Sequence, residues 1–361
     1  MERSTTRRYV EFALLCLLAL VILWWFGRKL DWSEVRAALR QADWFLLAIA
    51  VALVSLVYLL RAFRWQVLLA PIVRARLSDL FAATTIGFSA VFIAGRAGEV
   101  VRPVVLPMRD SRVRPSASLV TIFVERIYDT VAVVLLFAVN LLWFQPGGGT
   151  TEVSRVRWAG FFLLSAAVLL LVGLVWFRSH SNRTERIWHK LFANRWFMPG
   201  VLNKAFVSLL RQLTRALGVL VDARELAITV AWTAAVWFGI AFANLLVMRA
   251  FGLPFGAREG LFVLGWALVG SLVPTPGGAA GAFHAATAGA LVVLGVERET
   301  AAAVSIVMHL VDFGPAILFG FFYFVRGEIN LSRLRSLATQ EVAQENGENV
   351  GNRDPLLERG L

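Results

Sequence analysis

The sequence predicts an all-α polytopic membrane protein. It reads as about six full transmembrane helices plus two re-entrant helical hairpins, inserted from opposite sides and related as an inverted repeat. Three observations carry this. The 361 residues are 58% hydrophobic and only 17% charged, mean hydropathy is +0.68, and the apolar residues run in long blocks rather than alternating. Basic residues bunch in a few connecting segments, as membrane topology requires. Two apolar runs are broken at their centres, one by Gly95-Arg96-Ala97-Gly98-Glu99-Val100-Val101-Arg102-Pro103 and the other by Pro274-Thr275-Pro276-Gly277-Gly278.

Met1 to Arg8 is short and basic, and Tyr9 to Phe26 reads as the first span. Trp24-Trp25-Phe26 closes that run without a small-residue cleavage site, so the run reads as retained rather than as a signal peptide. Arg28 to Asp43 is polar and partly amphipathic, and Trp44 to Leu60 is the second span. Arg61, Arg64, Arg74 and Arg76 read as a basic loop. Leu77 to Leu106 holds the first broken run, and Arg109, Arg112 and Arg114 form the next basic loop. Pro115 to Phe144 is a long span carrying Glu125, Arg126 and Asp129. Gln145 to Glu152 is nearly neutral, and Arg157 to Phe177 is a clean span.

Within the basic segment Arg178 to Arg224, residues 202–220 set leucines at helical spacing against Lys204, Arg211 and Arg215. That predicts a basic amphipathic helix on a membrane surface, with a partner protein as the alternative seat. Leu226 to Leu253 is a span, residues 258–295 hold the second broken run, and Thr300 to Val325 is the last span. Residues 1–328 thus form one transmembrane domain, and residues 329–361 read as a polar, disordered tail. Trp24, Trp44, Trp65, Trp143, Trp158 and Trp176 fall near the ends of apolar runs, as an interfacial belt would.

Charge bias sets the topology. If every apolar run crossed, the Arg109–Arg114 loop would lie opposite the Arg61–Arg76 loop, against the positive-inside bias. If residues 77–106 instead enter and leave by one face, both loops are cytoplasmic. Residues 258–295 must then enter from the outer face, which leaves both termini cytoplasmic. Gly95 and Gly98 mark the first hairpin tip, and Pro274 and Pro276 the second. Irregular backbone at membrane depth needs protein or a water-filled cavity around it.

The net charge of +12 reports topology and anionic headgroups before nucleic acid. One cysteine, Cys16, allows no disulfide framework. No Walker loop, nucleophile elbow, Cys/His pattern or acidic metal cluster is present, so a transporter is favoured over an enzyme without excluding one, and neither a cofactor nor a metal is expected. The candidate binding residues are charges or turn residues inside apolar runs, where charge is costly and marks pathways. Arg96, Glu99 and Arg102 are spaced to share a helix face, and the planar fork of Arg suits phosphate. Glu125 and Asp129 are i, i+4, with Arg126 beside both; they compensate charge or carry protons. His309 and Asp312 are i, i+3 and fit either a proton relay, with Asp129 as a further candidate, or a structural pair. Thr275, Gly277 and Gly278 offer backbone groups to a ligand or simply form the turn. Arg126-x-x-Asp129 and His309-x-x-Asp312 follow their respective broken runs at similar intervals, as in an internal repeat.

The three motifs in this order, with Gly281 after the last, resemble the lysylphosphatidylglycerol synthase transmembrane region family, also called flippase-like or UPF0104 membrane proteins. The resemblance spans about residues 10–328. It implies the inner membrane of a bacterium and movement of an aminoacylated or other anionic phospholipid or glycolipid across the bilayer. It also implies membrane lipids as partners, with a separate lipid-modifying enzyme. No aminoacyl-transferase domain accompanies the motifs, so lipid synthesis is not implied. His284 stands where many relatives carry Glu. Two other classes stay open: a membrane-embedded enzyme acting on polyprenyl-phosphate or a glycolipid, and a non-transporting accessory subunit.

Overall fold

The computed structural model describes residues 31–143 and 223–326 apart from Pro274, with single positions or short pieces within 17–30 and 158–169. The surface helix at 202–220, the loop at 145–152, the tail at 329–361, and most of the spans at 9–26 and 157–177 lie outside the described residues.

Every described element is helical. In order they are α1 (Trp32–Gln41), α2 (Trp44–Leu69), α3 (Leu77–Ala94), a 3-10 segment (Gly95–Val100), α4 (Val101–Arg109), α5 (Pro115–Trp143), α6 (Ala223–Ala250), α7 (Ala257–Gly270), α8 (Ala280–Val293) and α9 (Arg298–Val325). Asp31 caps α1 by accepting from Ser33 N at 2.8 Å. Asp43 caps α2 by accepting from Phe45 N at 2.9 Å and Leu46 N at 3.2 Å.

Four described helices are long and apolar enough to cross a membrane: Trp44–Leu69, Leu77–Ala94, Leu226–Ala250 and Arg298–Val325. Their outward residues include Phe45, Leu56, Phe238, Phe242, Leu318, Phe321 and Phe324, all exposed. A water-facing helix does not present so continuous an apolar surface. α5 is longer still, at 29 residues, and carries its three charges mid-helix.

α2 runs past the end expected at Leu60, and Arg61, Arg64 and Trp65 are buried within it rather than forming a loop or a belt. The reason is tertiary: carboxylates on α5 receive the arginines. Trp24, Trp44 and Trp158 are exposed, as a belt residue should be.

α3 and α4 are the arms of a helical hairpin. Asp79 and Arg109 close its base at 3.0 Å. Arg112 then donates to the Arg74 carbonyl at 3.2 Å, tying the α2–α3 loop to the α4–α5 loop. The same guanidinium hydrogen-bonds Asp110 and holds that carboxyl below the usual carboxylate range. α7 and α8 form a second hairpin. Asn140, near the far end of α5, donates to the Arg258 carbonyl at 2.8 Å and marks the base of this hairpin. The two bases therefore lie at opposite ends of α5. The tips meet between them. Gly95 has φ +61°, and a Cβ there would stand 2.7 Å from the Thr275 carbonyl oxygen.

The packing repeats on exchange of the two halves. α2 packs on α6, and their ends join where Asp43 N donates to the Ala250 carbonyl at 2.8 Å. Each hairpin packs on the last helix of the other half, α3 on α9 and α7 on α5. Each second arm packs on its own last helix, α4 on α5 and α8 on α9. Glycines permit the closest approaches: a Cβ at Gly98 would overlap the Ala90 carbonyl, and one at Gly265 would overlap the Phe137 ring. Gly265→Leu is accordingly expected to lower the thermal unfolding midpoint of the detergent-solubilised protein, at a cost of about 1–3 kcal/mol. An unchanged midpoint would show that the α5–α7 contact can relax.

Candidate functional site

α2, α4, α5 and α6 bring a charged cluster to the centre of the bundle. Glu125 and Asp129 project from α5 one turn apart, the spacing read from the sequence. Arg102 of α4 grips Glu125 with both terminal nitrogens, Nη1 to Oε1 at 2.7 Å and Nη2 to Oε2 at 2.9 Å. Arg64 of α2 grips Asp129 in the same way, Nη1 to Oδ1 at 2.6 Å and Nη2 to Oδ2 at 3.2 Å. Its Nη2 also lies 3.1 Å from Glu125 Oε1, so Arg64 joins both carboxylates. Planar forks on planar carboxylates are the strongest form of this contact.

Neighbouring groups complete the framework. Arg102 lies over the Trp65 ring at 4.1 Å. The Trp65 indole N–H donates to Thr121 Oγ1 at 3.0 Å. The Trp237 indole N–H donates to Asp129 Oδ1 at 3.0 Å, and Arg64 Nη1 donates to Thr233 Oγ1 at 3.2 Å.

The other two arginines are held differently. Arg61 Nη1 is 3.6 Å from Asp129 Oδ2, too far for a hydrogen bond, and among the described residues it has no hydrogen-bond partner although it is buried. Arg126 Nη1 lies 3.8 Å from that same Oδ2. Both guanidiniums lie against the Phe88 ring, at 5.0 Å for Arg61 and 5.7 Å for Arg126. The Arg126 side chain is 37% exposed, so the cluster opens on its side.

A second polar group sits at the other hairpin tip. His309 Nε2 is 3.2 Å from the Gly278 carbonyl, and the His309 and His284 rings are 5.0 Å apart. Phe92, Phe283 and Phe313 surround His309. Thr275 and Thr287 are buried, with hydroxyls that find no partner among the described residues. Asp312 faces Arg61 and Asn244, and its backbone carbonyl accepts from the Tyr58 hydroxyl at 2.8 Å.

Glu99 and Arg102 do not share one face. The tip is a 3-10 turn entered through Gly95 that gives way to α4 at Val101; Glu99 is exposed while Arg102 is buried. Gly95, Gly98, Pro276, Gly277 and Gly278 all lie at or beside the meeting tips, and Pro274 lies outside the described residues. Arg61 and Arg64 are central yet absent from the sequence-derived candidates. Two signals pointed to them: the apolar run resumes at Val67-Leu68-Leu69 beyond them, and the carboxylates of α5 need cationic partners. Among the described residues no group of three or more His, Cys, Asp or Glu could hold a metal ion.

These features define a multi-pass helical membrane protein with a charged interior. The chain matches the family model described as lysylphosphatidylglycerol synthase TM region over residues 12–320, and it belongs to that family. A comparison with curated proteins finds no match.

Removing one partner of a buried ion pair strands the other charge, at about 3–5 kcal/mol. Arg102→Ala is expected to cost stability on that scale and Arg102→Met with Glu125→Leu distinctly less, by thermal unfolding in detergent. Equal loss in both would mean that packing rather than charge holds α4 to α5.

Proposed function

We propose that this protein is a lipid translocase that passes an anionic phospholipid or glycolipid headgroup through the polar centre while the acyl chains stay in the bilayer. One observation carries the reading. Four guanidiniums, Arg61, Arg64, Arg102 and Arg126, surround two carboxylates, Glu125 and Asp129, an excess of two positive charges. Buried charge without compensation is expensive, and an anionic ligand would relieve it.

In this reading residues 77–106 and 258–295 are re-entrant, and residues 1–328 form one transmembrane unit with six full spans. α7 and α8, of 14 residues each, reach about 21 Å, short of a hydrocarbon core of about 30 Å. The face with Arg74, Arg76, Arg112 and Arg114 is cytoplasmic, in a bacterial inner membrane, with both termini on that side. Arg96 and Glu99 at the first tip, and Thr275, Gly277 and Gly278 at the second, meet the headgroup in transit. Asp312 and His309 are the candidates for proton coupling. Asp129 is the third, released only if Arg64 lets go. A separate lipid-modifying enzyme supplies the substrate. The enzymatic alternative needs a carboxylate base, for which Glu99 or Asp129 would serve; Asp129 is occupied by Arg64, and Glu99 stands exposed at the first tip.

Reconstituted into vesicles with a labelled anionic phospholipid, the protein is expected to speed exchange between leaflets, with or without a pH gradient. No acceleration under either condition would defeat the translocase reading, and product formation in detergent would favour the enzyme. The hairpins have their own test. In a Cys16→Ser background, Ala97→Cys and Ala279→Cys should react slowly with a small hydrophilic thiol reagent and resist a bulky one. Fast labelling of Ala97→Cys by the bulky reagent from outside would remove the first hairpin.

A further inference from the structure

The last helix, α9, is built in two unlike halves. From Arg298 to Phe313 it is set into the bundle, with Ala301 to Ser305, Met308 and His309 buried. This half carries the second hairpin. α8 packs along it, His309 Nε2 meets the Gly278 carbonyl at 3.2 Å, and a Cβ at Gly278 would press on the Phe313 ring. From Ala316 to Val325 the helix shows an apolar outer surface, with Leu318, Phe319, Phe321, Phe322, Phe324 and Val325 exposed. Its inward stripe, Ala316, Gly320 and Tyr323, meets the first hairpin instead. Ser89 Oγ of α3 donates to the Ala316 carbonyl at 2.7 Å, a Cβ at Gly320 would overlap that hydroxyl, and the Arg109 guanidinium of α4 lies 5.4 Å from the Tyr323 ring.

α9 thus belongs to both hairpins, and Gly314-Pro315 stands at the boundary. Pro315 has no N–H, so the Val311 carbonyl lacks its helical donor. A Cβ at Gly314 would meet no neighbouring helix within 4 Å among the described residues, so packing does not demand the glycine. Sharp bends in helices fall at prolines, and glycine keeps the backbone free beside them. The carbonyls on either side are held by side chains from outside α9, Asp312 by the Tyr58 hydroxyl and Ala316 by Ser89. The counterpart helix has no such joint. α5 carries Ala132 three residues after Asp129, where α9 carries Pro315 three residues after Asp312. α5 is clamped instead, through Arg64 to α2 and through Arg102 to the first hairpin. One half of the molecule is fixed by charge, and the other hangs on a helix with a break in it.

We propose that α9 bends at Gly314-Pro315, so that the second hairpin moves with the first half of α9 against the clamped first hairpin, and the tips part between Gly95 and Thr275. The proposal rests on the translocase reading for what the motion serves, but the motion itself is measured without transport.

The experiment is a distance measurement between two spin labels on the full chain in lipid vesicles, in a Cys16→Ser background. The labels sit at exposed positions, Phe45→Cys at the start of α2 and Val293→Cys at the end of α8. The labelled parent is expected to give a broad or two-peaked distribution. Pro315→Ala, which restores the N–H, and Gly314→Ala, which meets no neighbour, should each narrow it to one peak. Gly289→Ala, at an equally open position within α8, should leave it unchanged. A single narrow peak in the parent, undiminished breadth in both joint variants, or equal narrowing by Gly289→Ala overturns the proposal. Lipid exchange separates it from the translocase reading. Gly314→Ala is expected to slow exchange about fivefold, the scale of the helix preference of Ala over Gly. Labels that respond to the joint variants in a protein that exchanges no lipid keep the joint and remove the translocase. Parental exchange and breadth in a folded Gly314→Ala keep the translocase and remove the joint.

Discussion

Two bidentate ion pairs, Arg64 with Asp129 and Arg102 with Glu125, are the interaction on which the interior depends. They fix three elements at once. Arg102 stands at the start of the short arm α4, which has nine residues and also buries Val105, Leu106 and Met108. Its grip on α5 holds the first hairpin against the bundle. Arg64 joins α2 to α5, and through Thr233 it also reaches α6. In a low-dielectric interior such pairs contribute little net stability against a well-packed apolar core, but losing one partner is severe. They therefore act mainly by specifying one arrangement of the helices.

The repeat makes the asymmetry of charge informative. Arg64 lies 13 residues before the start of the first hairpin (64 to 77), and Asn244 lies 13 before the start of the second (244 to 257). Arg64 meets Asp129, and Asn244 faces Asp312. Each aspartate residue is also reached by an aromatic side chain from the opposite half: the Trp237 indole bonds the Asp129 carboxylate, and the Tyr58 hydroxyl bonds the Asp312 backbone carbonyl. The two halves share a frame, yet only the first neutralises its aspartate with an arginine. Asp312 has a neutral amide in that position and Arg61 from the other half nearby.

The broken runs, the tips and the Glu125–Asp129 pairing were legible because each is a local signal: a spacing, a glycine, a proline. Arg61 and Arg64 were not. A guanidinium at the end of an apolar run ordinarily marks the headgroup region, and local sequence cannot distinguish that from burial against a carboxylate 61 or 65 residues further on (64 to 125, 64 to 129). Trp65 misled for the same reason. Its place near a run end suggested the interface, while its ring lies beneath Arg102. Glu99 and Arg102 part, one exposed and one buried, where the backbone changes from the 3-10 turn to α-helix at Val101.

A fully neutralised cluster would have been the more stable solution, since each unpaired buried donor costs about 1–3 kcal/mol. The bundle has acidic positions to spare: Glu99 stands exposed at the tip rather than turned toward Arg61. Of the two guanidiniums whose terminal nitrogens reach no carboxylate, Arg126 is partly exposed and Arg61 is buried, whereas both terminal nitrogens of Arg64 and of Arg102 are engaged. Stability alone accounts for the two filled forks. It does not account for the two unfilled ones beside Phe88, and a ligand that carries its own negative charge does.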